Sequence, residues 1–260
     1  MNGFYIRAYR TVLVVWVGVW GLTIAGCGSD SKDPPGNAIL LNDNNGADYN
    51  PVIHPADFQD NNGDPLPIDN PFLTLKQGNK RTYKSKDGKE KVEIEVTDIA
   101  KTILGVTVTV VKDQEFEDDE MVEDTQDWFA QDKDGNVWYF GEDTKELEDG
   151  KVTSTEGSWE AGKKGAKPGI IMKGNPQVGD AYRQEFFQGE AEDMAEVLSL
   201  SAPVTIGLGS YANCLQTKEW SPLEPDVVEH KFYCKQVGTL VLAEKVVGGV
   251  GGEELTAISP

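Results

Sequence analysis

Histidine is nearly absent from this chain of 260 residues: there are two, His54 and His230, alongside three cysteines, Cys27, Cys214 and Cys234. That scarcity excludes most nucleophilic chemistry, which needs a base beside an activated hydroxyl or thiol. There is no Gly-x-Ser-x-Gly elbow, and Gly207-Leu208-Gly209-Ser210 reads as a turn. His230 and Cys234 are four residues apart on an expected strand, hence on one face but about 13 Å from each other, too far for direct proton transfer. Phosphate loops, dinucleotide fingerprints and zinc-protease motifs are also missing. Carboxylate pairs for glycoside hydrolysis cannot be singled out among 44 acids. The expectation is that the chain is not an enzyme. Positive charge is scarce too, with 24 Lys and Arg against 44 Asp and Glu and a formal charge of −20. A nucleic-acid partner is therefore not expected, because phosphates must be neutralised by clustered Lys and Arg. Anionic lipid headgroups would be repelled by the same field.

Long apolar runs are lacking everywhere but the N-terminus. Arg7 and Arg10 precede Thr11–Ile24, which carries no charge. A helix crossing the bilayer needs roughly 20 apolar residues, so this shorter run suits the hydrophobic region of an export signal. Leu22-Thr23-Ile24-Ala25-Gly26-Cys27 then resembles the bacterial lipobox, in which small residues precede an acylated cysteine. The resemblance implies a signal peptide over 1–26, cleavage before Cys27, a diacylglyceryl group on its thiol and a further acyl chain, of the palmitate type, on its amine. Multiple acyl chains hold where one is marginal, since each buried CH₂ contributes roughly 0.8 kcal/mol. Membrane attachment would then run through the lipid alone. An uncleaved anchor or an ordinary signal peptide is the alternative. Gly28 follows the cysteine where an aspartate would indicate inner-membrane retention, so the outer membrane or cell surface is expected, with the periplasmic face of the inner membrane left open. Cleavage removes two of the 24 basic residues and none of the 44 acidic ones, moving the charge from −20 to −22.

With Cys27 taken by lipid, Cys214 and Cys234 remain to pair. They flank Trp220-Ser221-Pro222-Leu223-Glu224-Pro225-Asp226, whose two prolines mark a turn, so antiparallel strands leaving it would face the cysteines across a ladder. A structural disulfide is the expected reading in an oxidising compartment, with two buried thiols as the alternative. Residues 27–66 are rich in Asp, Asn, Gly, Ser and Pro and read as a flexible tether. Asp60 to Asp64 has oxygen ligands at calcium-loop-like spacing but lacks the bidentate glutamate of an EF-hand.

Residues 67–260 read as one all-β domain. Val92, Ile94 and Val96 alternate with Glu93, Glu95 and Thr97, and Val106, Val108 and Val110 alternate with Thr107 and Thr109. Asp87-Gly88, Asp134-Gly135 and Asp149-Gly150 supply tight turns. Glu190 to Leu200 fits a strand or an amphipathic helix. Asn70-Pro71-Phe72, Leu75, Gly78 and Tyr83, then Ala195-Glu196-Val197-Leu198, Val204-Thr205-Ile206, Gly209-Ser210-Tyr211, Cys214-Leu215 and Phe232-Tyr233 resemble secreted curved-sheet lipoproteins akin to lipoprotein-carrier half-barrels. That resemblance favours a strand at 190–200. The expected fold is an antiparallel meander forming a curved sheet, half-barrel or barrel, with little helix outside the signal peptide. No functional residue carries over.

Two candidate sites follow. The acidic run with Glu115, Glu117, Asp118, Asp119 and Glu120, joined by Asp132 and Asp134 from a nearby turn, offers the hard oxygens that Ca²⁺ takes; the alternative is a solvated hairpin tip. Trp128, Trp138, Trp159 and Tyr182 could line a concave face for a lipid or another apolar ligand, or stack on a sugar; the alternative is an ordinary core. The functional expectation is a membrane-anchored, non-catalytic module binding a ligand or protein partner, without cofactor unless Ca²⁺. A structural envelope protein is the rival.

Overall fold

The computed structural model describes residues 43–248 and 251–259. Cys27, expected to be lipidated, lies outside them with the signal segment. A short 3₁₀ turn at Pro55–Phe58 precedes the strands. These are β1 (Asp69–Asn70), β2 (Leu73–Thr74), β3 (Lys80–Ser85), β4 (Glu90–Ile103), β5 (Val106–Glu117), β6 (Glu120–Gln131), β7 (Val137–Glu148), β8 (Lys151–Ser154) and β9 (Trp159–Glu160). They continue as β10 (Lys167–Met172), β11 (Ala181–Arg183), β12 (Glu185–Phe186), β13 (Met194–Ile206), β14 (Gly209–Trp220), β15 (Val228–Cys234), β16 (Thr239–Val247) and β17 (Gly252–Ser259). The ambiguous segment at 190–200 thus enters a strand, as its resemblance implied.

β1 and β2 pair with each other, and the other fifteen form one antiparallel sheet. Its order is β11-β13-β14-β15-β16-β17-β3-β4-β5-β6-β7-β10-β12, with β8 and β9 added against β7. The sheet is curved and its hydrogen-bonded path stays open. Its two end strands, β11 and β12, are nevertheless consecutive in the chain, separated by Gln184 alone. Two-residue turns set the long hairpins. Asp118-Asp119 joins β5 to β6 and Asp149-Gly150 joins β7 to β8, with positive φ at all four residues as type I′ turns require.

Alternation decides what each strand buries. Tyr83 of β3 stands opposite Val92 of β4, and Leu255 of β17 stands opposite Tyr83, all three within the core. Along β5 to β7 the same inward parity carries acids and hydroxyls. Glu115 faces Glu123, Asp113 faces Thr125, which faces Thr144, and Asp127 faces Glu142. The apolar layer continues below them in Val96, Val111, Phe129, Val137 and Tyr139.

The segment before β1 corrects one boundary. Residues 43–66, expected as part of the flexible tether, dock on the domain. Asp43 pairs with Arg183 (Nε–Oδ2 2.5 Å), and the Tyr49 hydroxyl donates to Pro168 O (2.8 Å). Phe58 is buried edge-on against Phe140, ring centroids 5.7 Å apart. Three anchors spaced through a polar segment suffice to order it, and composition averages conceal them. Asp60, in the calcium-like stretch, accepts the Asn62 and Asp64 amides on Oδ1 (2.8 and 2.9 Å), closing a turn with its own backbone.

Candidate functional site

β7 is the strand on which the site is assembled. Gly141 adopts φ +122°, and a Cβ there would lie 2.2 Å from Trp159 O, so only glycine lets β9 approach this closely. The approach pairs Trp159 directly with Glu142. The register between β6 and β7 shifts between Asp127 and Phe129, a bulge that leaves both Asp127 and Trp128 buried on neighbouring positions.

Between β4, β7 and β9 these changes open a cavity of about 350 Å³, lined by Trp128, Trp159, Phe187, Glu142, Lys101 and Glu160 among others. That is the lower end of the range for small-molecule sites. Lys101 Nζ sits 3.2 Å from the Trp128 ring centroid and bonds Glu160 Oε2 at 2.7 Å, while Lys163 reaches the same oxygen at 2.9 Å. Glu142, 2% exposed, accepts the Thr144 hydroxyl on Oε2 (2.9 Å), and its Oε1 has no hydrogen-bond partner among the described residues.

The Glu142 side chain belongs to a carboxyl-rich interior. Asp127 Oδ1 accepts from the Tyr139 hydroxyl at 2.7 Å, and Glu123 Oε1 from the Thr125 hydroxyl at 3.1 Å. Asp127 Oδ2 and both oxygens of Asp113 lack partners among the described residues. Burial, reinforced by Asp127 and Glu123, pushes the Glu142 carboxyl well above the usual range. Burial together with Asp127, Glu115, Glu123 and Glu253 does the same to Asp113. Asp127 is pushed up to about 7 by burial, against the pull of the Tyr139 hydroxyl. Glu185 is raised by burial and by Asp193 and Glu142. Carboxyls directly opposite one another in a sheet repel when charged, so burial and this repulsion both favour their protonated forms.

The two sequence-derived candidates fare differently in space. Of the acidic run, Glu115 turns into the interior, Glu117 is half-buried, and Asp118, Asp119 and Glu120 form the exposed hairpin tip. Asp132 and Asp134 occupy the turn at the opposite end of β6, roughly 40 Å away at about 3.3 Å per residue. They do not join the tip; the turn after β6 belongs to the next hairpin. Asp132 instead accepts the Asp134 and Asn136 amides, each at 2.9 Å, and the Trp138 indole at 2.7 Å. Among the described residues no group of three His, Cys, Asp or Glu is placed to hold a metal ion.

Of the aromatic set, Trp128 and Trp159 meet at the cavity. Trp138 packs edge-on against Phe58, with ring centroids 6.3 Å apart. Tyr182 lies on β11 opposite Ala195, away from the cavity lining. Cys214 and Cys234 are bonded, with Cα atoms 4.3 Å apart, and staple β14 to β15. Sequence reasoning missed Glu142, Lys101, Glu160 and Phe187. The only available signal was the proximity of Gly141 to Glu142 within a strand, since a strand-interior glycine often marks a bulge or close backbone approach.

No protein-family model matches the chain, and no curated protein matches it. Among solved structures, the crystal structure of a candidate lipoprotein from Parabacteroides distasonis is similar over 72% of this chain and 98% of that one, at 10% identity and a TM-score of 0.38.

Proposed function

We propose that the chain is a lipid-anchored extracytoplasmic protein whose β domain binds a small ligand and does not catalyse. The anchor rests on the Leu22–Cys27 motif and its resemblance to the lipobox. The binding role rests on one observation: the cavity whose lining includes Trp128, Trp159 and Phe187 together with Lys101, Lys163 and Glu160. Apolar walls with few polar groups are the usual make-up of a ligand site. Against catalysis stands the histidine inventory, for His230 is half-buried on β15 with its Nδ1 on Gln216 (3.1 Å), far in sequence from the cavity strands.

Two measurements test the reading. Intact mass of the native product should show acyl chains on Cys27; an unmodified thiol would sink the anchor. Native mass spectrometry of the purified chain should show a co-purifying small molecule that Trp128→Ala and Trp159→Ala both deplete. Bare protein in every preparation, wild type included, would count against binding.

A further inference from the structure

The two ends of the sheet meet at a seam, and the segment before β1 fastens across it. β11 and β12 end the hydrogen-bonded path and are joined through Gln184 alone. Arg183, the last residue of β11, is buried and gives Nε to Asp43 Oδ2 (2.5 Å) and Nη2 to Asp43 Oδ1 (3.3 Å). Its guanidinium carbon stands 4.9 Å from the ring centroid of Phe186 on β12. Gly46, at φ +84°, lies so close to that ring that a Cβ would come within 2.0 Å of it, so only glycine passes here. Tyr49 meets Phe186 edge-on, ring centroids 6.1 Å apart, and gives its hydroxyl to Pro168 O on β10 (2.8 Å). Its carbonyl accepts Lys167 Nζ. Residues 43–49 therefore touch both ends of the sheet and the strand beside one of them. Further along, Phe58 packs edge-on against Trp138 and Phe140 of β7, and Asp57 O accepts the Lys133 amide (2.8 Å). Withdrawing the segment would leave the Arg183 charge buried without its carboxylate, which is strongly unfavourable.

We infer that this clasp holds the domain close to its membrane in one attitude, with the seam between β11 and β12 on the bilayer side. The inference rests on the lipid anchor at Cys27 proposed above. Sixteen residue steps separate Cys27 from Asp43 (43 − 27), which at about 3.5 Å per step reach no more than about 55 Å. A tether running to Leu66 would have 39 steps (66 − 27) and reach about 135 Å. The clasp thus removes more than half of the reach. Thirteen strands spaced about 4.8 Å apart and curled toward closure put β3, the middle one, roughly 20 Å from the seam. Turning β3 to the bilayer would draw the chain around the domain and extend it, at a cost in conformational entropy. With the seam toward the bilayer no such extension is needed. Nor is any attraction to headgroups, which suits a formal charge of −20.

The experiment uses the full acylated chain in phosphatidylcholine vesicles that carry an acceptor-labelled lipid. With Cys27 acylated and Cys214 bonded to Cys234, a single added cysteine takes the donor dye. Gln188→Cys places it on the exposed turn beyond β12, and Lys84→Cys at an exposed position of β3. Energy transfer from position 188 should exceed that from position 84 by at least about twofold, since the two differ by roughly 20 Å in height. The excess should persist in high salt, which screens charge but does not lengthen a tether. Asp43→Asn keeps the size of the side chain and removes its charge. It should equalise the two positions and let proteinase K cut within residues 43–66 at least about tenfold faster, as a segment that opens locally is cut.

Should that variant misfold, the comparison of the two positions in the chain with Asp43 intact decides. Equal transfer from both, while intact mass shows Cys27 acylated, would overturn the clasp inference and leave the anchor standing. Loss of the excess in high salt would overturn it as well, because charge and not the chain would then set the attitude. An Asp43→Asn chain that keeps the excess and resists the protease would show that the Asp43–Arg183 pair is not the clasp. An unmodified Cys27 would remove the anchor and the inference with it.

Discussion

The sheet buries acids on its inner face twice, in two different ways. On β14 and β15, Glu219 accepts Lys231 Nζ on Oε2 (2.8 Å) and the Thr217 and Tyr233 hydroxyls on Oε1 (2.7 and 3.2 Å). On β5 to β7, Asp113, Asp127 and Glu142 have at most one hydroxyl donor each and leave four buried oxygens without partners among the described residues. The residue types and the architecture are the same; the difference is a lysine. Burial alone would lower Lys231, but Glu219 and Glu229 hold it above its ordinary value, so it stays charged at any pH the domain meets. One wall carries its own counter-ion. The other has no such cation among the hydrogen-bond and ion-pair partners of these three acids.

Removing that counter-ion should have the largest effect. Lys231→Met leaves Glu219 buried without its cation, a change that typically costs about 3–5 kcal/mol. Urea unfolding at pH 7 measures it. Adding Glu219→Leu should recover most of the loss, because replacing both partners by apolar groups is often neutral. A single variant as stable as wild type would mean that Glu219 does not need its lysine, and the two walls would then be alike.

The Cys214–Cys234 bond reinforces the same wall, closing a separation of 20 residues between adjacent strands. The chain-entropy model puts its contribution at about 3 kcal/mol. Cys214→Ala with Cys234→Ala should lower the urea midpoint accordingly while leaving its pH dependence unchanged. A change in the pH profile would show that the two walls communicate.

The opposite wall should respond to pH. The folded carboxyls of Asp113, Asp127 and Glu142 sit above their unfolded values, so they contribute stability below the usual carboxylate range. That contribution is lost as pH rises through the raised values, about 7 for Asp127. The domain should be more stable at pH 5 than at pH 8. Asp113→Asn, which cannot ionise, should gain on the order of 1–3 kcal/mol over wild type at pH 8 and little at pH 4.

How these walls differ was only partly legible in the chain. The strands were, because Val92, Ile94 and Val96 keep strict period and the Asp-Gly pairs mark the turns. The disulfide was, because the turn between Cys214 and Cys234 brings its flanks together. The acidic interior was not, and the cause is local. With Asp118-Asp119 as a two-residue turn, uninterrupted pairing would set Glu115 opposite Val122. The ladder instead slips after the Phe116–Met121 pair, so that Glu115 meets Glu123 and the acids of β6 join the inner face. A one-residue bulge reverses parity for the rest of the strand, and an acidic hairpin tip offers no pattern that announces it. The cavity was hidden for a similar reason: it depends on β9 closing over Gly141, a contact between segments with no shared periodicity.

The smallest expected effect concerns strain at the edge of the unpaired wall. Leu104-Gly105 is the two-residue turn between β4 and β5, and Leu104 is held at φ +50°, a conformation that costs a leucine roughly 1–2 kcal/mol. Asparagine tolerates this region, so Leu104→Asn should raise stability by up to about 1 kcal/mol. Because the turn carries no titrating group, the gain should be equal at pH 5 and pH 8, separating backbone strain from the charge effects of the neighbouring strands. Leu104 also leans toward Gly162, where an added Cβ would come within 2.5 Å of its Cδ2. Should the variant prove less stable than wild type, that contact outweighs the strain. Leucine is then kept at an unfavourable φ to hold the chain after β9, and with it Trp159, against the cavity.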